Sequence, residues 1–428
     1  MIVYSADWVL PIEGAPIPCG AVAVEGDRIV AVGNADDLEG DRRHFGDCAI
    51  LPGFVNAHTH LEYSVYAGFG DGLADFGEWI ATHVTRKRRL DWADHLAIAR
   101  LGAAECLATG VSTVGDCSFR GAAAVAAAES GLRATVYLEV FGRGPDDVLR
   151  QFDDLHALVA NAFDARVRLG VSPHAPYSVT PAAYRACAGL ALPMATHLSE
   201  SASELAYLRN GGGPWRGLSF LVPPLGLSGA NMLEREGLLG AGLLAAHCTK
   251  LQPDEIALLG ARSVGVAHCP RSNAMLGSGA APVAELLAAG ARVGLGTDGV
   301  SSAPSLDFFE EMRAALYVAR NRLGTPDAMT AAQALELATL GSARALGLED
   351  EIGSLCPGKK ADLVVVSLEG SPFLPWEDPI VAVVLGGAPA RVSRTIVDGA
   401  TRYARGGFEW HELRQEAAAA RARMLASG

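Results

Sequence analysis

The strongest constraint on the fold is the alternation of short apolar runs with Ala/Leu-rich stretches between residues 51 and 350. Apolar runs of strand length separated by helical stretches indicate βα units, whose strands pair in a parallel sheet. Eight such units close into a barrel. We therefore predict an α/β fold with a (β/α)8 TIM barrel. The eight predicted strands cover residues 52–57, 111–116, 134–141, 167–172, 193–197, 242–247, 263–268 and 292–297.

The two ends of the chain are predicted to form a second, smaller domain. Both contain short strands of alternating apolar residues, with a hairpin signal at Gly26-Asp27. We predict a β-sandwich domain from residues 1–50 plus 351–405, the barrel over 51–350 and a helical tail over 406–428, which is rich in Ala, Arg and Glu. The stretch of roughly 200–240 contains GGGPW and PPLGLSG, and it is predicted to form a long loop over the barrel mouth.

Six of the eight predicted strands end in His or Asp. The segments are NAHTH, SPHAP, THLSE, AHCTK, AHCPRSN and GTDGVSS, after strands 1, 4, 5, 6, 7 and 8. Barrel enzymes build their active sites at the C-terminal ends of the strands, where side chains from different strands converge. Chance placement of 11 histidines would not put six of them there. The pattern therefore predicts an active site at this end of the barrel.

Four of these side chains are predicted to bind one divalent metal ion. His58 and His60 are two residues apart on an extended segment, so they point to the same side. Together with His197 and Asp298 they offer three imidazoles and one carboxylate. That donor set suits Zn²⁺, with Fe²⁺ as the alternative, and leaves a coordination position for water.

One metal ion is favoured over two. Binuclear barrels of this kind need a bridging ligand, often a carbamylated lysine on strand 4. None of the four lysines lies near that strand; they are Lys87, Lys250, Lys359 and Lys360.

Several further residues at the strand ends are candidates for catalysis or substrate binding. Glu200, three residues after His197, could take a proton from the activated water and return it to a leaving nitrogen. Glu204 is its nearest competitor and is expected on an exposed helix face. His247 could stabilise developing charge, and the candidates for facing the substrate are His174, His268 and Asn273. The remaining histidines are expected to be surface or packing residues: His44, His83, His95, His156 and His411.

The composition limits the classes of partner. The formal net charge is −13, and there is no basic run or stripe, so binding of nucleic acid by a cationic surface is not expected. No apolar stretch reaches the roughly 18 residues of a membrane span, and the N-terminus lacks a signal-peptide pattern. The eight cysteines are scattered without a CxxC motif. We expect a cytoplasmic protein with a small-molecule substrate, and a homo-oligomer is left open.

The motifs PGFVNAHTHLE, SPHAPYS, THLSES, AHCTKL, AHCPRSNAMLGSG, GTDGVSS and PGKKADLVVV resemble the amidohydrolase superfamily over nearly the whole chain. They are most similar to its branch of cytosine, guanine, adenosine-derivative and chlorotriazine hydrolases. The resemblance implies a mononuclear site with His58, His60, His197 and Asp298 as ligands. It also implies Glu200 as proton shuttle, His247 as polariser of the attacking hydroxide, and Asp298 as acceptor of a second proton. A metal-free scaffold is disfavoured because all four ligands are present.

The resemblance also suggests a substrate. DFGEWI is similar to a segment of deaminases of 5′-substituted adenosines, which implies that Glu78 holds ribose hydroxyls and Trp79 covers the sugar or base. The alternative is an amphipathic helix in which Trp79 packs and Glu78 is solvated. HTHLEYS, DFGEWI, YLEVFG and the GGGPW segment together resemble aminodeoxyfutalosine deaminases of menaquinone biosynthesis. The alternatives are deamination of S-adenosylhomocysteine, methylthioadenosine, guanine or cytosine, or triazine hydrolysis. Arg143 and Arg216 are candidates for contacting a 5′ substituent.

Overall fold

The computed structural model describes residues 1–73, 76–370 and 376–426. Of the DFGEWI motif, Asp75 lies outside the described residues, as do residues 427–428 of the predicted tail. The chain begins with seven short strands, which form parts of two sheets. They are β1 (Ile2–Ser5), β2 (Trp8–Val9), β3 (Ile17–Pro18), β4 (Gly20–Glu25), β5 (Arg28–Asn34), β6 (Asp41–His44) and β7 (Cys48–Pro52).

The predicted barrel is confirmed, with all eight strands parallel and in sequential order around the sheet. Its ring closes where the backbone N–H of Asp298 donates to the His58 carbonyl oxygen, 3.0 Å away. The strands are β8 (Phe54–Thr59), β9 (Val111–Ser118), β10 (Arg133–Val140), β11 (Val167–Pro173), β12 (Met194–Leu198), β13 (Leu243–His247), β14 (Gly265–His268) and β15 (Arg292–Leu295). The last strand ends two residues earlier than predicted, because the chain turns there to bring Asp298 back to β8.

Helices connect the barrel strands and cover the outside of the barrel. Their N-termini carry signals visible in the sequence, such as the capping box of Asp91 and Asp94. The helices are α1 (Phe76–Lys87), α2 (Trp92–Ala108), α3 (Ala122–Ser130), α4 (Pro145–Val159), α5 (Pro181–Ala188), α6 (Ala202–Asn210), α7 (Gly229–Arg235), α8 (Pro253–Ala261), α9 (Pro270–Met275), α10 (Val283–Ala289), α11 (Phe308–Leu323), α12 (Ala331–Glu336), α13 (Ser342–Leu346), α14 (Pro379–Gly386) and α15 (His411–Leu425). In the described part of the chain, none of them combines the length and apolar character needed to cross a bilayer.

The segment 211–228, between α6 and α7, covers the barrel mouth. Trp215 is fully buried and packs edge-on against Tyr177, with ring centroids 4.8 Å apart. The backbone N–H of Val222 donates to the Tyr177 carbonyl oxygen at 2.9 Å. The stretch of roughly 200–240 is not one long loop as predicted, because it contains α6 and α7. The segment between these helices is held to the barrel by a buried indole and a backbone hydrogen bond, among other contacts.

The chain ends supply the two sheets outside the barrel. After the barrel come β16 (Leu363–Ser367), β17 (Val392–Val397) and β18 (Ala400–Ala404). One sheet has the order β5-β4-β1-β6, and the other has the order β18-β17-β16-β7-β2-β3, which mixes strands from both ends. Apolar side chains from the two sheets share one core, as expected for a sandwich; they include Val22, Ile29, Ile50, Leu363 and Ile396. The domain boundaries given above stay a prediction.

A buried ion-pair network joins the barrel to the second sheet. Arg133, at the start of β10, donates to both carboxylate oxygens of Asp362, at 2.8 and 3.1 Å, and also pairs with Asp398. Arg133 and Asp362 are both buried. A guanidinium in this setting needs its carboxylates, because a buried charge without a partner is costly.

Replacing Asp362 with Ala is expected to lower the free energy of unfolding by about 3–5 kcal/mol, because it leaves the Arg133 guanidinium buried with one carboxylate fewer. Urea unfolding at pH 7 measures the effect. The exposed Asp36→Ala provides a control that removes a surface carboxylate. A loss no larger than that of the control would contradict the structural role of the pair.

Candidate active site

Four side chains from three places in the chain meet at the C-terminal end of the barrel. The Nε2 atom of His60 lies 3.3 Å from Nε2 of His197 and 3.4 Å from Oδ1 of Asp298. The Nε2 atom of His58 lies 3.5 Å from the same carboxylate oxygen. One donor atom from each residue lies within 4.8 Å of all the others, and all four side chains are buried. The structure thus brings the four predicted ligands around one point.

The outer nitrogens of two imidazoles are held by backbone carbonyls. Nδ1 of His60 lies 2.7 Å from the Cys117 carbonyl oxygen, and Nδ1 of His197 lies 2.9 Å from the His174 carbonyl oxygen. Since a carbonyl only accepts, each Nδ1 carries the proton, and each Nε2 presents a lone pair to the common point. Nε2 of His58 is buried and has no hydrogen-bond partner among the described residues.

The Asp298 carboxylate is positioned by a strained backbone and by hydrogen bonds. Its φ is +61°, in the left-handed region that non-glycine residues rarely adopt. Oδ2 accepts from the hydroxyls of Ser272 at 2.7 Å and Ser302 at 2.6 Å, and Oδ1 accepts from the Gly299 N–H at 2.7 Å. These bonds leave Oδ1 directed at His58 and His60.

The donor set fits a divalent metal ion. Burial lowers the pKa of His60 to about 3, with the neighbouring His58 as a smaller cause, so this imidazole is neutral at pH 7. Burial would raise the pKa of Asp298, but the imidazole of His58, 3.5 Å from its Oδ1, and the nearby His247 and His60 hold this pKa well below its usual value. Three neutral imidazoles and one carboxylate match a divalent metal site with an open position. The four side chains therefore form a site that could hold one divalent metal ion.

Glu200 and His247 stand beside this site. Oε1 of Glu200 lies 3.7 Å from Nε2 of His247, and donor atoms of both lie within 4.8 Å of the Asp298 carboxylate. Nδ1 of His247 lies 2.9 Å from Oδ1 of Asn273, so an amide oxygen fixes its outer proton. Burial, assisted by the charge of Asp298, raises the pKa of Glu200 well above its usual value. A carboxyl with a raised pKa is suited to take up and release a proton.

Removing the Asn273 amide oxygen is expected to lower kcat by about 10- to 100-fold, the usual effect of losing a group that orients a catalytic imidazole. Asn273→Leu removes the acceptor, and Asn273→Asp keeps an oxygen in the same place. Steady-state kinetics should show a larger loss for Leu than for Asp, with metal content unchanged in both. Equal losses would show that Asn273 acts through packing and not through His247.

Glu204 is not on an exposed helix face, and that expectation was wrong. Its side chain is 1% exposed, and it accepts the backbone N–H groups of Ser199 at 3.1 Å and Glu200 at 2.6 Å. The carboxylate caps the turn after β12, where Ser199 has a φ of +51°. Glu204 thereby holds the backbone that carries Glu200.

A cavity of about 310 Å³ opens above the metal site. Among the predicted residues it is lined by His60, His174, His197, Glu200, His247, Asp298 and Trp79. Aromatic side chains make up much of the rest: Tyr63, Phe76, Phe119, Phe141, Tyr177 and Phe220. Trp79 donates its indole N–H to the Ser301 carbonyl oxygen at 3.1 Å and stacks on His83, with centroids 5.2 Å apart. A cavity of this size and character suits a planar ring system.

Other predicted substrate-binding residues do not line this cavity. Glu78 and Arg216 are exposed. Arg143 donates to the Leu221 carbonyl oxygen at 2.8 Å and so holds the covering segment. His268 lines a separate cavity, between β15 and helices α10 to α12, and Asn273 acts on His247.

Three buried residues with acidic or basic side chains line the cavity and were missed or assigned elsewhere. His83 is buried against Tyr63 and Trp79, and Lys87 lies one helical turn further on α1. Glu139 lies at the end of β10, and it could have been found from the sequence by the rule applied to the other strand ends. The two α1 residues precede the second strand and carry no such signal.

The barrel and its four-ligand centre define a metal-dependent hydrolase with its site at the C-terminal ends of the strands. The profile of the Amidohydrolase family matches residues 49–402, and a short profile of the bacterial imidazolonepropionase-like composite domain matches residues 20–41. The chain belongs to the amidohydrolase family. This places it among the hydrolases that act on carbon–nitrogen bonds in cyclic amidines.

Relatives match along nearly the whole chain. A 5-methylthioadenosine/S-adenosylhomocysteine deaminase of Moorella thermoacetica is 35% identical over 412 residues, 93% of each chain. A 5′-deoxyadenosine deaminase of Methanothermobacter thermautotrophicus is 32% identical and covers 91% of this chain and 90% of its own.

Solved structures of similar proteins have the same fold as this chain. A zinc-bound adenosine deaminase from Xanthomonas campestris superposes with a TM-score of 0.89 at 30% identity, over 99% of this chain and 98% of its own. The atrazine chlorohydrolase TrzN of Arthrobacter aurescens has a TM-score of 0.85 over 99% of this chain and all of its own. At 22% identity, that likeness concerns the fold alone.

Proposed function

We propose that this protein deaminates the adenine ring of a 5′-substituted adenosine by hydrolysis, using one zinc ion. The observation that carries the proposal is the convergence of His58, His60, His197 and Asp298 below an aromatic cavity that Glu200 and His247 also line. Deaminases of adenosine derivatives among the relatives, one of them a zinc-bound structure, support the substrate class and the metal.

The reaction adds one water to the ring carbon that bears the amino group and releases ammonia. His58, His60, His197 and Asp298 would hold the divalent cation, which when bound would lower the pKa of water so that hydroxide is available at neutral pH. Glu200 takes one proton from the attacking water and passes it to the adjacent ring nitrogen. The oxygen bonds to the ring carbon, and Asp298 moves the second proton to the amino group. The carbon–nitrogen bond then breaks. Nε2 of His247, whose Nδ1 proton faces Asn273, accepts a hydrogen bond from the incoming hydroxyl and orients it.

The candidate substrates are 5′-substituted adenosines, and the relatives do not support them equally. The relatives support S-adenosylhomocysteine or 5-methylthioadenosine, which were alternatives in the sequence analysis, better than 6-aminodeoxyfutalosine. A role in menaquinone biosynthesis depends on the last of these and remains a prediction from sequence resemblance. Guanine and triazine substrates are supported by the fold of structural neighbours only, and cytosine remains a prediction from sequence resemblance.

Ammonia release from a substrate panel tests the proposal. The panel comprises S-adenosylhomocysteine, 5-methylthioadenosine, 5′-deoxyadenosine, 6-aminodeoxyfutalosine, adenosine, guanine, cytosine and atrazine. We expect kcat/KM above about 10⁴ M⁻¹s⁻¹ for at least one 5′-substituted adenosine, a typical value for an enzyme on its own substrate. Turnover of guanine, cytosine or atrazine with no turnover of any adenosine would contradict the proposal.

A further inference from the structure

Lys87 is a buried cation in the substrate cavity that the reaction at Glu200, His247 and Asp298 does not use. It is the last residue of α1, its side chain is 9% exposed, and it lines the cavity. We propose that Lys87 binds a carboxylate on the 5′ substituent of the substrate. This inference rests on the proposed function, because it assigns the remaining part of the same substrate.

The Lys87 ammonium group is surrounded by aromatic rings. Nζ lies 3.8 Å from the centroid of the Phe119 ring, 5.3 Å from that of Phe141 and 6.0 Å from that of Tyr63. Cation–π contacts stabilise an ammonium group but use none of its three N–H donors. No carboxylate of the described residues lies within 4.0 Å of Nζ. The donors are therefore available to a ligand in the cavity.

Neither of the neighbouring carboxylates, Glu62 and Glu139, accepts a hydrogen bond from the Lys87 ammonium group. Glu62 is already bonded, since it accepts from the Ser118 hydroxyl at 2.6 Å and from the backbone N–H groups of Arg120 and Ala122, each at 2.9 Å. Glu139 lines the cavity, and its Oε1 is buried without a hydrogen-bond partner among the described residues. It lies near His174 and His197, with donor atoms within 4.8 Å of both. Glu139 forms no ion pair with Lys87 in the described part of the chain, and burial raises the pKa of its carboxyl to about 8.

The single positive charge of the Lys87 ammonium group is balanced by a ligand group with one negative charge. A buried charge without a bonded partner is costly, and a carboxylate approaching Nζ would supply charge-assisted hydrogen bonds inside an apolar wall. The cavity is also lined by Arg88, but the side chain of Arg88 is exposed to solvent. For deamination the adenine must lie against Glu200, which follows β12, whereas the rings around Lys87 follow β8, β9 and β10 on the other side of the barrel. The group that reaches Lys87 therefore belongs to the part of the nucleoside away from the adenine, the 5′ substituent.

A matched pair of substrates tests the assignment. 5′-S-(2-carboxyethyl)-5′-thioadenosine and its methyl ester have the same adenosine and nearly the same length, but only the acid carries a charge. For wild type we expect kcat/KM to be about 10- to 100-fold higher for the acid, as expected for hydrogen bonds to a charged group. Lys87→Met should remove this preference by lowering kcat/KM for the acid alone, and Lys87→Arg should restore much of it. Arg89→Gln, which removes a charge from the same segment but away from the cavity, should retain the preference.

Binding measurements distinguish a failure of the Lys87 assignment from a failure of the proposed deamination. In the Glu200→Gln background, calorimetry gives the dissociation constant of acid and ester without turnover, and the same preference for the acid should appear. Equal binding and equal turnover of both compounds by wild type would overturn the Lys87 assignment and leave deamination standing. If neither compound is bound or deaminated while the substrate panel shows turnover of another 5′-substituted adenosine, the Lys87 assignment fails alone. If the panel shows no turnover of any adenosine either, the proposed function fails as well. A similar loss for acid and ester in Lys87→Met, with a lowered melting temperature, would show that Lys87 only supports the fold.

Discussion

Glu200→Gln is expected to lower kcat by about 10²- to 10⁴-fold, the usual contribution of a positioned general acid–base group, while the metal content stays the same. Glu200 lies 3.7 Å from Nε2 of His247 and belongs to the cavity wall, but it is not among the four ligands. The amide keeps the size of the side chain and loses the ability to carry a proton. Steady-state kinetics and metal analysis of the same preparation measure both quantities.

A matched surface variant controls for the Glu200 substitution. Glu129→Gln makes the same chemical change at an exposed carboxylate that pairs with Arg100, and it should leave kcat and metal content unchanged. A Glu200→Gln enzyme with more than about a tenth of the wild-type kcat would remove Glu200 from proton transfer. Loss of metal from this variant would instead make Glu200 part of the metal site.

Asp298→Ala is expected to lower both metal content and activity, and to lower the melting temperature of protein prepared with metal. The substitution removes the single carboxylate among the four donor residues, whose Oδ1 lies 3.5 Å from His58 Nε2 and 3.4 Å from His60 Nε2. A metal ion that binds only the folded protein stabilises it by about 4 kcal/mol when its concentration is about 1,000 times the dissociation constant. Metal analysis, thermal unfolding with and without a chelator, and kinetics together measure the loss.

The chelator distinguishes a metal effect from a packing effect. Wild type should lose stability on chelation and regain it when zinc is added, whereas Asp298→Ala should respond to neither. Ser302→Ala removes one hydrogen bond to Oδ2 and leaves the ligand in place, so it should retain most of the metal. An Asp298→Ala protein with the metal content of wild type would contradict the ligand role.

The metal site was largely predictable because a rule of topology governs it. All strands of a parallel barrel end at the same edge, so His60, His197 and Asp298 could be placed together without coordinates. The spacing of His58 and His60 on one strand fixed their common side. Burial was harder to predict: Glu204 looks like an ordinary helix acid, yet it is 1% exposed, because the turn that carries Glu200 needs its N–H groups capped.

Side chains from helices and covering segments could not be placed in this way. Lys87 and His83 enter the cavity only because α1 lies across the barrel mouth, while Glu78 on the same helix faces solvent. Arg143, predicted to contact substrate, instead bonds the Leu221 carbonyl oxygen. His268 ends a strand as His247 does, but it lines a different cavity.

The sequence by itself determined the eight-stranded barrel, the edge that carries the chemistry and the four donors for a metal ion, because strand periodicity and parallel pairing act through short-range geometry. Only the tertiary structure decided which side chains form the substrate cavity, which carboxylates are capped by backbone, and that a lysine lies in an aromatic wall. These features depend on the packing angle of helices and the path of connecting segments. Many weak contacts between distant residues set that path, and no local pattern records them.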